Sequence, residues 1–168
     1  KEHDTFSNLL GTSDDLPVRW IARYLNSRYS SFPEGVSVRM TELRNDRARG
    51  SQLREINGQS YFLKEYSELS GTVEGTDADM HWWLLKDDKS LPGYGNTYET
   101  RGHVALLYRD ELYNIHRGQQ AGPMLQDFGI SAGYGRVVIY VEPMNPEIIP
   151  DVTRSLLKIN GEQIPWED

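Results

Sequence analysis

No cysteine occurs anywhere in the 168 residues. That excludes disulfides, thiolate nucleophiles and cysteine zinc sites, and it fits a reducing, cytoplasmic setting. Long apolar runs are missing too. Even the stretch Val137 to Val141 falls far short of the roughly 20 residues a membrane-spanning helix needs, so no membrane partner is expected. No basic-then-apolar leader opens the chain. The first residue is Lys1 rather than Met, which reads as a fragment or processed product whose function depends on further segments. Positive charge is in short supply: Lys and Arg number 18 against 25 Asp and Glu, for a formal net charge of −7. Global steering towards nucleic acid or acidic membranes is therefore not expected.

The common catalytic signatures are also absent. There is no G-x-S-x-G elbow, no G-x-x-x-x-G-K-[ST] loop and no G-x-G-x-x-G fingerprint. The four histidines, His3, His81, His103 and His116, form neither H-x-x-x-H nor H-E-x-x-H, and they read as structural side chains. Gly93-Tyr94-Gly95 and Gly133-Tyr134-Gly135 are lone G-x-G pairs that read as turns. Carboxylates cluster at Asp77/Asp79, Asp87/Asp88 and Asp110/Glu111. Such turn pairs ordinarily face water, and an acid–base pair needs tertiary geometry that spacing does not supply.

What is present suits a globular domain: 38% hydrophobic, 11% aromatic and 26% charged residues are not the values of a disordered chain. The length is near that of one domain. A helix is read from about Asp14 to Tyr29. Ser13, Asp14 and Asp15 offer N-caps, Pro17 suits the first turn, and Leu16, Trp20, Ile21, Tyr24 and Leu25 share an apolar face, with Arg19, Arg23 and Asn26 off it. Val36, Val38 and Met40 alternate as a half-buried strand. For 51–69 two readings stand. Asn57-Gly58 is a hairpin signal, while Phe62, Leu63, Tyr66 and Leu69 share a helical face; the second half is read as helix. Strands are expected over Gly71 to Thr76 and Met80 to Lys86. In the latter, Trp82 and Trp83 imply burial on both faces. A hairpin follows from His103 to Ile115 around Arg109-Asp110, then a short helix over Met124 to Phe128 and a strand over Val137 to Val141. Ile148 to Ile159 reads either as a weak helix or as loop plus strand. This order argues for an α+β fold: a mixed, largely antiparallel sheet with helices packed mainly on one face. Residues 1–35 form a helical lead-in and 36–168 the α+β body.

One basic stretch departs from the acidic balance. Arg39, Arg44, Arg47, Arg49 and Arg54 fall within sixteen residues. They read as a solvated face, with a patch that contacts phosphate or nucleic acid as the alternative. Tyr94 and Tyr134 are the aromatic residues such a patch would recruit.

Several segments together resemble a bacterial, MORC-like or chaperone-like group within the gyrase, heat-shock chaperone, histidine kinase and MutL (GHKL) ATPase superfamily. They are Pro17 to Tyr29, Phe32 to Val38, Gly71 to Val73, His81 to Lys86, Gly102 to Tyr108, Tyr134 to Pro143 and Thr153-Arg154. The pattern is diffuse and lacks a sharp motif. The resemblance implies the end of a nucleotide domain followed by a transducer domain of the ribosomal-protein type, with Tyr108 to Pro143 as its strand, turn, helix, strand section. It implies ATP and Mg for the parent protein, an upstream nucleotide-binding domain as partner, and a homodimer. The superfamily's Glu/Asn helix, D-x-G-x-G segment and glycine-rich lid are not in this sequence, so no cofactor is expected in this chain alone. A basic side chain reaching a γ-phosphate from the transducer would fall at Lys86 or Lys89. The expected role is therefore non-catalytic: coupling nucleotide state to dimer or partner geometry. The alternatives are a nucleic-acid-binding module using Arg39 to Arg54, weak and salt-sensitive, and a hydrolase built on carboxylates with His103 or His116.

Overall fold

A computed structural model describes residues 12–13, 16–17, 20–42, 52–95 and 97–164. The proline ring at position 17 pushes the residue before it away from helical backbone. Accordingly Leu16–Pro17 (β2) pairs antiparallel with Thr12–Ser13 (β1), and the first described helix, α1, spans only Trp20–Arg28. The expectation of a helix from Asp14 with Pro17 in its first turn is thus corrected. The buried face differs as well. Ala22 and Asn26, four apart, are fully buried, and Tyr24 is 62% exposed. Asn26 belongs inside because its Oδ1 accepts the Asn57 and Gly58 backbone N–H groups at 3.0 and 2.8 Å.

That bond also explains why Asn57-Gly58 makes no hairpin. Val38–Glu42 (β3) and Gln52–Ile56 (β4) form their own antiparallel pair. Asn57-Gly58 then carries the chain from β4 into α2, Gln59–Tyr66. Gly58 has φ 79°, and a Cβ there would lie 2.5 Å from the Ser30 carbonyl oxygen. Only glycine fits both constraints. Leu69, expected to continue the helical face, lies instead in Ser67–Val73 (β5), 59% exposed.

β5 pairs with Ala78–Leu85 (β6). After a 3₁₀ turn at Leu91–Tyr94 come His103–Tyr108 (β7) and Glu111–Arg117 (β8). Arg109 and Asp110 join these two with φ of 51° and 63°, the doubly left-handed geometry of a two-residue hairpin loop. Ala121–Asp127 (α3) and Val137–Pro143 (β9) follow. The five strands order as β5-β6-β9-β7-β8, antiparallel except for the parallel β7–β9 pair. The fold is α+β with a mixed, mostly antiparallel sheet.

The helices divide between the faces. Alternate residues of each strand point to opposite sides. Ala105, Val138 and Tyr140 meet Phe62 and Leu63 of α2, while Val104 and Ile139 meet Ala121 and Leu125 of α3. Leu106 and Tyr113 pack against Ile148 and Leu157 of the C-terminal segment. That segment contains no helix. Ile149–Pro150 (β10), Leu157–Ile159 (β11) and Glu162–Gln163 (β12) make a small sheet. Asp151 Oδ1 accepts the Ser155 and Leu156 N–H groups at 2.7 and 2.8 Å, a local bonding pattern that competes with helix. A hydrogen bond from Thr153, with the backbone bonds beside it, pulls the Asp151 carboxyl down to about 2. Trp82 and Trp83 are half-buried, one on each face. The full double-sided burial read from the sequence is thus only partly realised.

Candidate functional site

The hairpin turn at Arg109-Asp110 delivers Glu111 to the foot of α1, where the backbones of Tyr29 and Glu111 bridge. Glu111 is 8% exposed. Its carboxylate accepts Arg28 Nη2 at 2.8 Å and the Tyr113 hydroxyl at 2.9 Å. Arg154, from the turn after Asp151, closes the other side. Arg28 also donates to the Leu112 carbonyl at 2.7 Å and lies over the Tyr113 ring, 4.2 Å from its centroid. Burial would raise the Glu111 carboxyl, but the bonds from Arg154, Tyr113 and Arg28 outweigh it and hold it below its ordinary value. Burial, with the bond to Glu111, raises the Tyr113 phenol.

A second carboxylate, Glu99, accepts Arg117 Nε at 2.8 Å and lies 3.5 Å from Arg23. Its backbone is fixed by Gln59, whose amide exchanges two hydrogen bonds with it at 2.6 and 3.0 Å. Between these two clusters β8 bulges, its register against β7 shifting between Val104 and Leu106. Bulges re-aim side chains and are common beside functional sites. Asn114 sits at the bulge with φ 48°. It helps to line a cleft of about 550 Å³ that also takes in Arg28, His116, Arg117 and Arg154. Burial lowers the His116 pKa, which favours its neutral form.

A different site lies across the sheet. Met80, Trp82, Leu84, Phe128, Ile130 and Ile139 line an almost wholly apolar groove of about 240 Å³. The facing pairs Leu69↔Leu84, Gly71↔Trp82 and Val73↔Met80 extend that face onto β5. Leu69 and Val73 are exposed there. β5 ends the sheet, and among the described residues no strand pairs with its outer edge.

The residues singled out by sequence scatter. Lys86 donates to the Glu65 carbonyl at 2.7 Å and its ammonium lies 5.9 Å from the Tyr66 ring centroid, while Lys89 is exposed in the following turn. Arg39 stands 3.6 Å from Glu55 across the β3–β4 pair, and Arg54 is in β4 opposite Met40. Arg44, Arg47 and Arg49 lie outside the described residues. His103 is 1% exposed. Its Nδ1–H donates to the Arg101 carbonyl at 2.8 Å, leaving Nε2 to accept from the Tyr140 hydroxyl at 2.9 Å. Burial drives its pKa to about 4. This is a sealed, neutral structural histidine. Among the described residues no group of three or more His, Asp or Glu is placed to hold a metal, and no helix is long and apolar enough to cross a membrane.

Sequence reasoning missed Glu111. Turn carboxylates were expected to face water, as Asp110 does, but Glu111 starts the strand whose next inward residue is Tyr113. The spacing Glu-x-Tyr on one strand face was the available signal; the partners Arg28 and Arg154 are too distant in sequence to have supplied one. No protein-family model matches the chain, and no curated protein or solved structure is significantly similar to it.

Proposed function

We propose that this chain is a cytoplasmic, non-catalytic coupling domain of a larger GHKL-type ATPase, docking the nucleotide domain or a second subunit through the Trp82 face. The observation that carries the reading is that face. It holds an apolar groove beside an edge strand whose outer side is unpaired among the described residues, with Leu69 and Val73 exposed next to Trp82. Contiguous exposed apolar surface of this kind marks interaction sites, and an open edge adds unpaired backbone groups that can recruit a strand. The chain order supports the reading as well. The strand, turn, helix, strand series from Glu111 to Pro143 ends with β9 parallel to β7, and it falls within Tyr108 to Pro143, the section that the resemblance likens to a transducer. ATP and Mg belong, on this reading, to the upstream domain.

Two measurements test it. The coding sequence ahead of Lys1 should contain a Glu/Asn helix, a D-x-G-x-G segment and a glycine-rich lid; their absence overturns the ATPase assignment. In the longer protein, Trp82→Glu should leave ATP binding intact and abolish nucleotide-dependent closure or dimerisation. If closure persists with Trp82→Glu, the docking surface lies elsewhere.

A further inference from the structure

We propose that the cleft between α1, β8 and the turn at 151–156 binds a small oxyanion, a carboxylate or phosphate group on a compact polar ligand. Charge gives the first argument. Four guanidinium groups, those of Arg23, Arg28, Arg117 and Arg154, gather around two carboxylates, Glu99 and Glu111. The result is a local excess of positive charge in a chain of net charge −7, which a bound anion would offset. Among the described residues no acidic side chain lines the cleft itself: its wall carries Arg28, Arg117 and Arg154, with Thr153 and Ser155 hydroxyls beside them. Arg154 is 60% exposed along its side chain and commits one amino group to Glu111, so most of its planar donor fork faces outward. A guanidinium fork fits carboxylate and phosphate alike.

The second argument is independent of charge. Asn114 lines the cleft, is 6% exposed, and has neither Oδ1 nor Nδ2 hydrogen-bonded. A buried amide without partners is rare and calls for an explanation. Its backbone is held at φ 48° by the bulge, and its own N–H donates to the Ser155 carbonyl at 3.1 Å. The strand is therefore deformed to keep an unpaired amide, its two polar atoms shielded from solvent, behind the wall of an arginine-lined cleft. A ligand that turned this amide outward would gain a group that both donates and accepts, adding selectivity to the charge recognition of the arginines. A ligand held here bridges α1 to the body of the sheet, and it would do so whether or not the coupling role holds.

The test is titration of the purified chain with sodium succinate and, separately, inorganic phosphate at constant ionic strength, read by melting temperature and by chemical shifts of the asparagine side-chain amides. One of the two anions should raise the melting temperature saturably, where matched chloride does not; which one does so separates the carboxylate from the phosphate source. Asn114→Gly keeps the left-handed backbone and removes the amide, and Arg154→Gln removes the exposed fork while Arg28 and Tyr113 still hold Glu111. Each should weaken binding about ten-fold or more, with the shift of the Asn114 amide signal lost in the first. Arg39→Gln, remote from the cleft, should bind as the wild type does. If Arg154→Gln folds poorly, Arg117→Gln takes its place. The proposal is overturned if neither anion saturates, or if both cleft variants bind like Arg39→Gln.

Discussion

Trp82 and Trp83 are neighbours in one strand and live in different surroundings. The ring of Trp83 lies 5.1 Å from that of Tyr140, on the face that α2 closes with Phe62 and Leu63. There Phe62 stacks on Tyr66 and Tyr98 at 4.9 and 5.4 Å, and His103 is sealed beneath Tyr140. Trp82 leans over Gly71 at the sheet's open margin, beside a groove that α3 covers only in part. Two side chains of identical chemistry thus separate into a core role and a surface role. What separates them is the face each one points to: Trp83 meets the cluster that α2 fills with Phe62 and Leu63, whereas Trp82 borders the groove lined by Phe128 and Ile130.

The comparison breaks most readily at the closed face. Phe62→Ala should cost about 3–5 kcal/mol, the usual loss for a fully buried aromatic, seen as a lower urea midpoint with an unchanged slope. A loss well under 2 kcal/mol would mean that this face is no better packed than the other.

Acid probes the same layer without a mutation. The unfolded His103 takes up a proton near its ordinary value of 6.5, and the folded one resists until about 4. Between those values the unfolded state binds the extra proton, so stability is complete above pH 6.5 and falls as pH drops towards 4. The full effect is about 3 kcal/mol. In His103→Leu the pH dependence through this window should flatten. An unchanged slope would show that His103 accepts a proton while folded.

The two tryptophans give the direct contrast. Trp83→Ala is expected to cost about 3 kcal/mol and Trp82→Ala roughly half of that, because Trp83 packs against the cluster of Phe62, Leu63 and Tyr140 while Trp82 borders the apolar groove. Equal losses in denaturant unfolding would erase the distinction between the faces.

Much of this was legible beforehand, for a reason. The strands, the Arg109-Asp110 turn and the short helix before β9 all follow from local patterns, and each is found within a few residues of its expected place. What failed was long-range. α1 turns an asparagine inward because Asn26 bonds to a junction thirty-one residues away, and no helical periodicity contains that information. The Asp14 start failed on a local rule wrongly weighted: Pro17 was read as a helix starter, while its effect on Leu16 was the stronger. The site was least legible. Glu111 draws its arginines from 83 residues before it and 43 after it, so the cluster exists only once the sheet is assembled. The Arg39 to Arg54 stretch stood out because its charges are close in sequence, the one kind of clustering a linear reading detects.

The smallest expected effect is also the most specific to the open face. A Cβ on Gly71 would lie 2.9 Å from Cζ2 and Nε1 of Trp82, too close unless the indole moves. Gly71 lies in regular strand, so Ala fits its backbone there. Restricting the unfolded chain contributes about 0.4–1 kcal/mol in favour of Gly71→Ala, and displacing the indole costs a similar amount in lost contact. The net change in stability should therefore lie within about 0.5 kcal/mol of zero. That balance holds only if Trp82 has room to swing towards the groove; against a closed layer the same methyl would force the strands apart and cost 1–3 kcal/mol, as overpacking does. Fluorescence distinguishes the cases in a background where Trp20, Trp83 and Trp166 are all replaced by Phe. With an open face, Gly71→Ala should shift the Trp82 emission to the red and raise its quenching by acrylamide while the unfolding midpoint stays put. A marked loss of stability with unchanged emission would mean that the groove is packed shut, and that the face beside the edge strand is core rather than docking surface.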